Sequence, residues 1–268
     1  FLAAATSALW RVHPRNNEWP QAVQHDGFTY RSIPPQLSGS VFDLAPATTY
    51  ELEIHITDPD GVDIVRTLTG ATRPVPRSDP ETPTQVSVST AAALRAALAN
   101  AQPGHVITLH DGTYPGPFRL DRSGTATNPI VIRGASRDGV ILNGTPCSSA
   151  CDVVEVYASH VHVERLTIER STVGLRFRNP PNGMARGNVA RRLRVRDVVH
   201  GILGHFVQSE FYVCDNEVDG RLVWPWVFGD NPNAHWDDRG IAVFGNGHVV
   251  CHNRIRGFGD ALVDEDEQ

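Results

Sequence analysis

Between Val161 and Val263 one short phrase is written four times, and it restricts the fold more than any other feature. It reads V-E-R-L-T-I at Val163 to Ile168, then R-R-L-R-V around Leu193 and Val195. It returns as V-C-D-N-E-V at Val213 to Val218 and as V-C-H-N-R-I at Val250 to Ile255. Each copy is followed by a glycine-apolar step or a close relative: Gly174-Leu175, Gly201-Ile202, Gly240-Ile241 and Ala261-Leu262. Two short period-2 strands, a polar turn and a third strand, recurring roughly every 20 to 40 residues, spell a β-solenoid. One copy cannot bury its own apolar face, so the copies must stack and share one core.

The run from Val86, V-S-V-S-T-A-A-A-L-R-A-A-L-A-N-A-Q-P-G-H-V-I-T-L-H-D-G-T-Y-P-G-P-F, continues with N-P-I-V-I-R-G at Asn128 to Gly134 and G-V-I-L-N-G at Gly139 to Gly144. This stretch resembles the opening of right-handed parallel β-helix proteins, a group that includes many secreted polysaccharide lyases and some glycoside hydrolases. The expected fold is therefore all-β, a right-handed parallel β-helix over residues 85–268 with an α-helical cap at its N-terminal end. Thr90 can cap the helix A-A-A-L-R-A-A-L-A-N-A, which Pro103-Gly104 ends, and Leu94 and Leu98 share one face. Such a lid covers strand edges that an open first coil would expose. No second cap is visible before the acidic end, Asp264 to Gln268. That leaves two expectations: the natural chain continues, or the last rung is covered by another copy.

Residues 1–73 read as short alternating strands. Leu44-Ala-Pro-Ala-Thr-Thr-Tyr50-Glu-Leu-Glu-Ile54 resembles the E–F corner of fibronectin type III domains, where the tyrosine hydroxyl bonds back to the chain. Trp10 suits the core tryptophan of that family, and Asp58-Pro-Asp-Gly61 marks a hairpin turn. A fibronectin III-like β-sandwich, acting as a spacer, is expected in front of the β-helix. Between them, residues 74–84 are rich in proline and form a stiff linker.

Composition removes several functions. All 24 basic residues are arginine, so no lysine base or Schiff base is available. A net charge of -6 argues against a nucleic-acid partner. No apolar run is long enough to span a membrane. The opening F-L-A-A-A-T reads as a processed amino end or the remnant of a secretory signal. Four cysteines fall in two pairs, Cys147 with Cys151 in a tight loop and Cys214 with Cys251 in the same slot of consecutive copies. Even pairing favours disulfides and a secreted, extracellular or periplasmic setting. The alternative for Cys214 and Cys251 is a pair of buried small apolar residues.

Registering the copies on the glycine-apolar step places Val173, His200, Arg239 and Asp260 in one column, about 5 Å from neighbour to neighbour. Asp238 sits one place earlier. A group that titrates near neutrality, a fixed cation and a carboxylate make an acid–base set. The longest interruption, Asp219 to Arg239, holds Trp224, Trp226, Phe228, His235, Trp236 and Asp237 beside that column. Exposed indole faces stack on sugar rings, although the same rings could fold down as a satellite core. Nine arginines between Arg165 and Arg196, with Arg176 and Arg178 flanking Phe177, form a basic strip suited to an acidic polysaccharide. The competing reading is that outward strand positions must simply be polar.

In the lyases that this chain resembles, arginine or lysine commonly acts as base, and calcium or arginine neutralises the sugar carboxylate. Here the resemblance leaves Arg239, His200 or His235 as base. Calcium is a candidate cofactor, since Asp237, Asp238, Asp260 and Asp264 carry hard oxygen ligands. The leading expectation is a secreted polysaccharide lyase, with catalytic candidates His200, Arg239, Asp260, Asp238 and His235. Its substrate-binding candidates are Trp224, Trp226, Trp236, Arg176 and Arg178. A non-catalytic assembly or glycan-binding protein, self-associating through an uncapped C-terminal rung, is the alternative. A two-carboxylate hydrolase comes third, because Arg239 stands where such enzymes keep their first aspartate.

Overall fold

Each copy of the repeated phrase turns its corner at one residue with left-handed backbone. The computed structural model describes residues 11–12, 24–25, 28–29, 37–38, 41, 44–57, 59–145, 151–221 and 238–265. In it Arg165, Arg192, Asp215 and His252 have φ of 57°, 54°, 61° and 51°. Such backbone costs an L-residue roughly 1–2 kcal/mol, so the corner needs compensating bonds. In two copies asparagine supplies them. Asn216 accepts from the Leu193 N–H (3.0 Å) and donates to the Ala190 carbonyl (3.0 Å) and to Asn253 Oδ1 (2.9 Å). Asn253 donates to the Val213 carbonyl at 2.7 Å. In the two earlier copies the slot holds Leu166 and Leu193, both buried.

The strand before each corner joins one parallel sheet. Its seven strands are Thr84–Val88, His105–Leu109, Ile130–Gly134, Val161–Glu164, Val189–Arg191, Tyr212–Cys214 and Val249–Cys251. Their register lines up Ile107, Ile132, Val163, Ala190, Val213 and Val250 as one inward column. The strand after the corner enters a second parallel sheet. There Thr167–Phe177 and Arg194–Leu203 bend at Arg170 (φ 61°) and Asp197 (φ 55°). Their first halves continue a column through Tyr114, Leu142, Ile168, Val195, Val218 and Ile255. Their second halves continue another through Phe118, Val154, Leu175, Ile202, Ile241 and Leu262. The three columns meet in one core, and each fully buried aliphatic side chain in it contributes about 1.5–3 kcal/mol. Leu262 is the exception, 50% exposed on the last described strand.

The glycine-apolar step has a steric cause. A Cβ at Gly174 would press on Val195, and one at Gly201 on Val218 and the Gly240 carbonyl, so glycine is what fits at these two positions. At the other end, the helix Ala91–Ala99 starts where Thr90 Oγ1 accepts from the Ala93 N–H at 3.1 Å. Leu94 and Leu98 insert into the same core, as a lid requires. Cys214 and Cys251, opposite one another in register with Cα atoms 4.6 Å apart, are joined as a disulfide. Cys151 is also disulfide-bonded, and Cys147 lies outside the described residues. The chain is thus all-β with parallel sheets, and one helix lies among the described residues.

The chain divides into two compact units, residues 1–75 and 76–268. In the first, all described pairings are antiparallel, and Thr49–Thr57 with Asp63–Ala71 forms the hairpin that the Asp-Gly turn implies. The Tyr50 hydroxyl accepts from the Ala45 N–H at 2.7 Å, the bond back to the chain expected of a tyrosine corner. Trp10 lies outside the described residues. At the start of the second unit the proline-rich stretch has few N–H groups but free carbonyls, and arginines take them. Arg191 donates to the carbonyl of Pro76 (3.1 Å), and Arg133 to the carbonyl of Ser78 (2.5 Å) and to Asp79 (2.8 Å). Residues 76–79 therefore strap the outer side of the first sheet.

Candidate active site

The register of the second sheet brings together three of the residues proposed as catalytic. Val173 lies opposite His200, and Arg239 lies opposite Asp260. Ile202 opposite Ile241 and Leu203 opposite Ala242 carry the same register from His200 to Arg239. Neighbours in such a column stand about 4.8 Å apart. His200 and Arg239 are half-buried, and Asp260 is exposed. The Arg239 backbone N–H donates to His200 Nδ1 at 3.3 Å, which fixes the ring against the next strand. Asp238 is buried, and its carbonyl accepts from the Asp260 N–H at 2.9 Å.

Beside the column lies an apolar patch. Val173, Leu203, Ala242 and Phe244 are buried together, apart from the main core. The Arg239 guanidinium stands 5.9 Å from the centre of the Phe244 ring, and Phe244 meets the exposed ring of Phe206 at a tilt of 57°, with centroids 5.1 Å apart. A cation over an aromatic face, next to a second exposed ring, is a surface that suits a sugar edge and its charge.

The column extends one place further than the glycine marker indicated. Asp152 lies opposite Val173, and it holds Arg176 at 2.6 Å and Arg178 at 3.2 Å. Arg178 also donates to Glu155 at 2.8 Å. Val153 occupies the place of the glycine and hides the register. Both arginines proposed to bind substrate are therefore committed to carboxylates of the neighbouring strand. Tyr157 lies between the Arg119 and Arg178 guanidinium groups, 4.0 and 5.6 Å from its ring centre. Burial, and then the Glu155 charge, push its hydroxyl above the usual tyrosine range.

Most of the basic strip is neutralised in the same way. Arg196 donates to Glu169 (2.8 Å), Arg194 to Asp138 (3.1 Å) and Arg186 to Glu210 (2.8 Å). Arg191 is bonded to buried Glu164. Among the described residues no group of three or more His, Cys, Asp or Glu comes together to hold a metal ion. Trp224, Trp226, His235, Trp236 and Asp237 lie outside the described residues.

No family model matches the chain, and no curated protein does. Among solved structures it is similar to an alginate lyase from Paenibacillus sp. str. FPU-7, with 22% identity and a TM-score of 0.53. The match covers 64% of this chain and 58% of that one, so the chain spans less than two thirds of that protein's length. It is also similar to a mutant alginate lyase of the PL6 family, with 17% identity and a TM-score of 0.42 over 63% of this chain and 26% of that one. The first likeness makes the fold polysaccharide lyase-like. Of the described residues, no helix is long and apolar enough to cross a membrane.

Proposed function

We propose that this protein is a secreted polysaccharide lyase that cleaves an acidic glycan by β-elimination, built on a right-handed parallel β-helix. The observation that carries the reading is the column of His200, Arg239 and Asp260 across adjacent parallel strands. Three further findings support it. Successive copies pair in parallel and in register, as coils of one β-helix would. The similar Paenibacillus protein is an alginate lyase, and alginate is a polymer of uronic acids. Disulfides suit a secreted protein. The first unit, with its tyrosine corner and hairpin, is read as a fibronectin III-like spacer.

In the elimination, the sugar carboxylate is neutralised by cationic or N–H donors and the proton on C5 passes to a base. The C5–H electron pair becomes the C4=C5 double bond, and the C4–O4 bond breaks with its pair leaving on oxygen, which is then protonated. In this reading Arg239 and His200 neutralise the carboxylate and exchange protons, and Phe206 offers a ring to a neighbouring sugar. The test is an absorbance assay for unsaturated products on pectate and alginate. Turnover is expected, with loss on Arg239→Ala. Reducing ends released without new absorbance would replace the lyase with a hydrolase.

A second reading is favoured by Leu262. It continues the inward column of Ile202 and Ile241 yet stands half exposed, so a second copy could stack on it. Light scattering over a concentration series tests this, and a constant monomer mass would end it.

A further inference from the structure

We infer that the Cys214–Cys251 disulfide is a redox-sensitive latch. It holds the last described copy of the repeat on the copy before it, and a dithiol that opens it loosens that copy together with Asp260. The two copies differ in how well they hold themselves. The earlier one runs through Tyr212–Cys214, Glu217–Gly220 and Arg239–Asn246, and its inward Val213, Val218 and Ile241 are at most 1% exposed. The later one runs through Val249–Cys251, Arg254–Arg256 and Asp260–Glu265. In the matching places it has Val250 and Ile255, only half-buried, and Leu262, 50% exposed. Burial stabilises in proportion to the apolar area removed from water, so the later copy gains less from stacking than the one beneath it. Two of its strands are three residues long. A segment with few buried apolar contacts is one that opens locally.

The disulfide adds a hold of another kind. Cys214 and Cys251 lie opposite one another in register, so the bond ties the first strand of the later copy to its neighbour. The two cysteines are 37 residues apart in sequence, with Arg239 between them. In the chain-entropy account, a bond across so long a loop removes freedom that the opened chain would gain. Burial also gives the exchange a direction, because Cys214 is fully buried and Cys251 only half-buried. One thiolate of the dithiol attacks Cys251 Sγ, the S–S bond breaks, and its electron pair leaves on Cys214 Sγ. The second thiolate of the reductant then closes its own disulfide and frees Cys251. Two electrons reach the protein, and both sulfurs take up protons from water. Asp260 belongs to the later copy, whereas His200 and Arg239 do not, so opening the latch loosens one member of the column and keeps two.

Amide hydrogen exchange tests this in the oxidised protein, after dithiothreitol, and in the double variant Cys214→Ser with Cys251→Ser. The double variant leaves the bond at Cys151 intact and so separates the two disulfides. The Arg254 N–H, which donates to the Asn216 carbonyl at 2.8 Å, and the Asp260 N–H report the later copy. The Glu217 N–H, which donates to the Leu193 carbonyl at 2.9 Å, reports the copy beneath it. Opening the bond is expected to speed exchange at Arg254 and Asp260 by about 30-fold or more, the lower end for a lost disulfide, and at Glu217 by less than about threefold. Equal rates with the bond open and closed overturn the inference. So does a matching rise at Glu217, which a variant that fails to fold would also give. Alkylation with mass spectrometry reads which cysteines dithiothreitol has opened, and a Cys214–Cys251 bond that resists it in the folded protein overturns the redox sensitivity. None of these outcomes depends on turnover of a glycan, so the lyase reading is decided separately.

Discussion

Two columns of charged side chains cross neighbouring strands of this protein, and their fates differ. In the first sheet, Arg133, Glu164 and Arg191 lie opposite one another and alternate in sign. Glu164 and Arg191 are 6% and 5% exposed, both guanidinium groups bond the one carboxylate, and the carbonyls of Pro76, Arg77 and Ser78 and the Asp79 carboxylate take further N–H groups. In the second sheet, His200, Arg239 and Asp260 hold the same cross-strand relation but run from half-buried to exposed, and no strap among the described residues closes over them. Register alone brings groups within about 5 Å in either case. Alternation of sign together with a cover makes a brace. A graded set that no described strap covers makes a candidate site.

The largest expected effect breaks the brace. Glu164→Ala would leave two guanidinium groups facing each other with their shared counter-charge gone. That costs about 3–5 kcal/mol for a buried pair. Urea unfolding should show the unfolding free energy fall by that amount. Asp260→Asn, in the open column, should move it by less than about 0.5 kcal/mol, as surface substitutions do. Equal shifts would erase the distinction between the two columns.

A smaller effect concerns His162. His162 sits two residues before Glu164, buried, with Nδ1 lacking a hydrogen-bond partner. Burial first, then the charges of Arg191, His160 and Arg133, lower its pKa from 6.5 to about 3. The folded state therefore keeps this ring neutral where the unfolded chain binds a proton. Its stabilising share is complete above about pH 6.5 and is lost as the pH falls toward 3. Between pH 6.5 and 5 the loss should be roughly 1–2 kcal/mol. His162→Phe should flatten that part of the profile, and a variant that keeps the full slope would assign it to other groups.

Much of this was legible in the sequence, and what was not has definite causes. The inward columns follow from period-2 alternation plus a corner residue, so Val163, Val213 and Val250 could be aligned by eye. The His200–Arg239–Asp260 column followed from Gly201 and Gly240, where a Cβ would press on the neighbouring strand. Asp152 escaped because Val153 stands at the glycine place. The fate of the arginines escaped for a different reason. Their counter-charges come from other strands, as Asp138 does for Arg194, and no local pattern connects residues 56 apart. The strap escaped likewise, since prolines announce an extended stretch but not which guanidinium groups will take its carbonyls.

The smallest expected effect concerns Arg176 and Arg178, the residues a sequence reader would choose first as substrate cations. Each has a carboxylate partner: Arg176 has Asp152, and Arg178 has Asp152 and Glu155. A paired guanidinium offers a polyanion little net field, since the attraction of the cation is cancelled by the carboxylate a few ångströms behind it. Substituting either with alanine frees an acid on the same face and removes a partly exposed ion pair worth about 0.2–1 kcal/mol. The KM for a uronate polymer should then rise by less than about fivefold, the factor that 1 kcal/mol allows, with kcat unchanged. The double substitution of Asp152→Asn and Glu155→Gln should do the reverse, releasing both cations and lowering KM. If single alanines raised KM by far more, the two arginines would belong to the open column. The boundary between brace and site would then lie one strand nearer the N-terminus than the ion pairs place it.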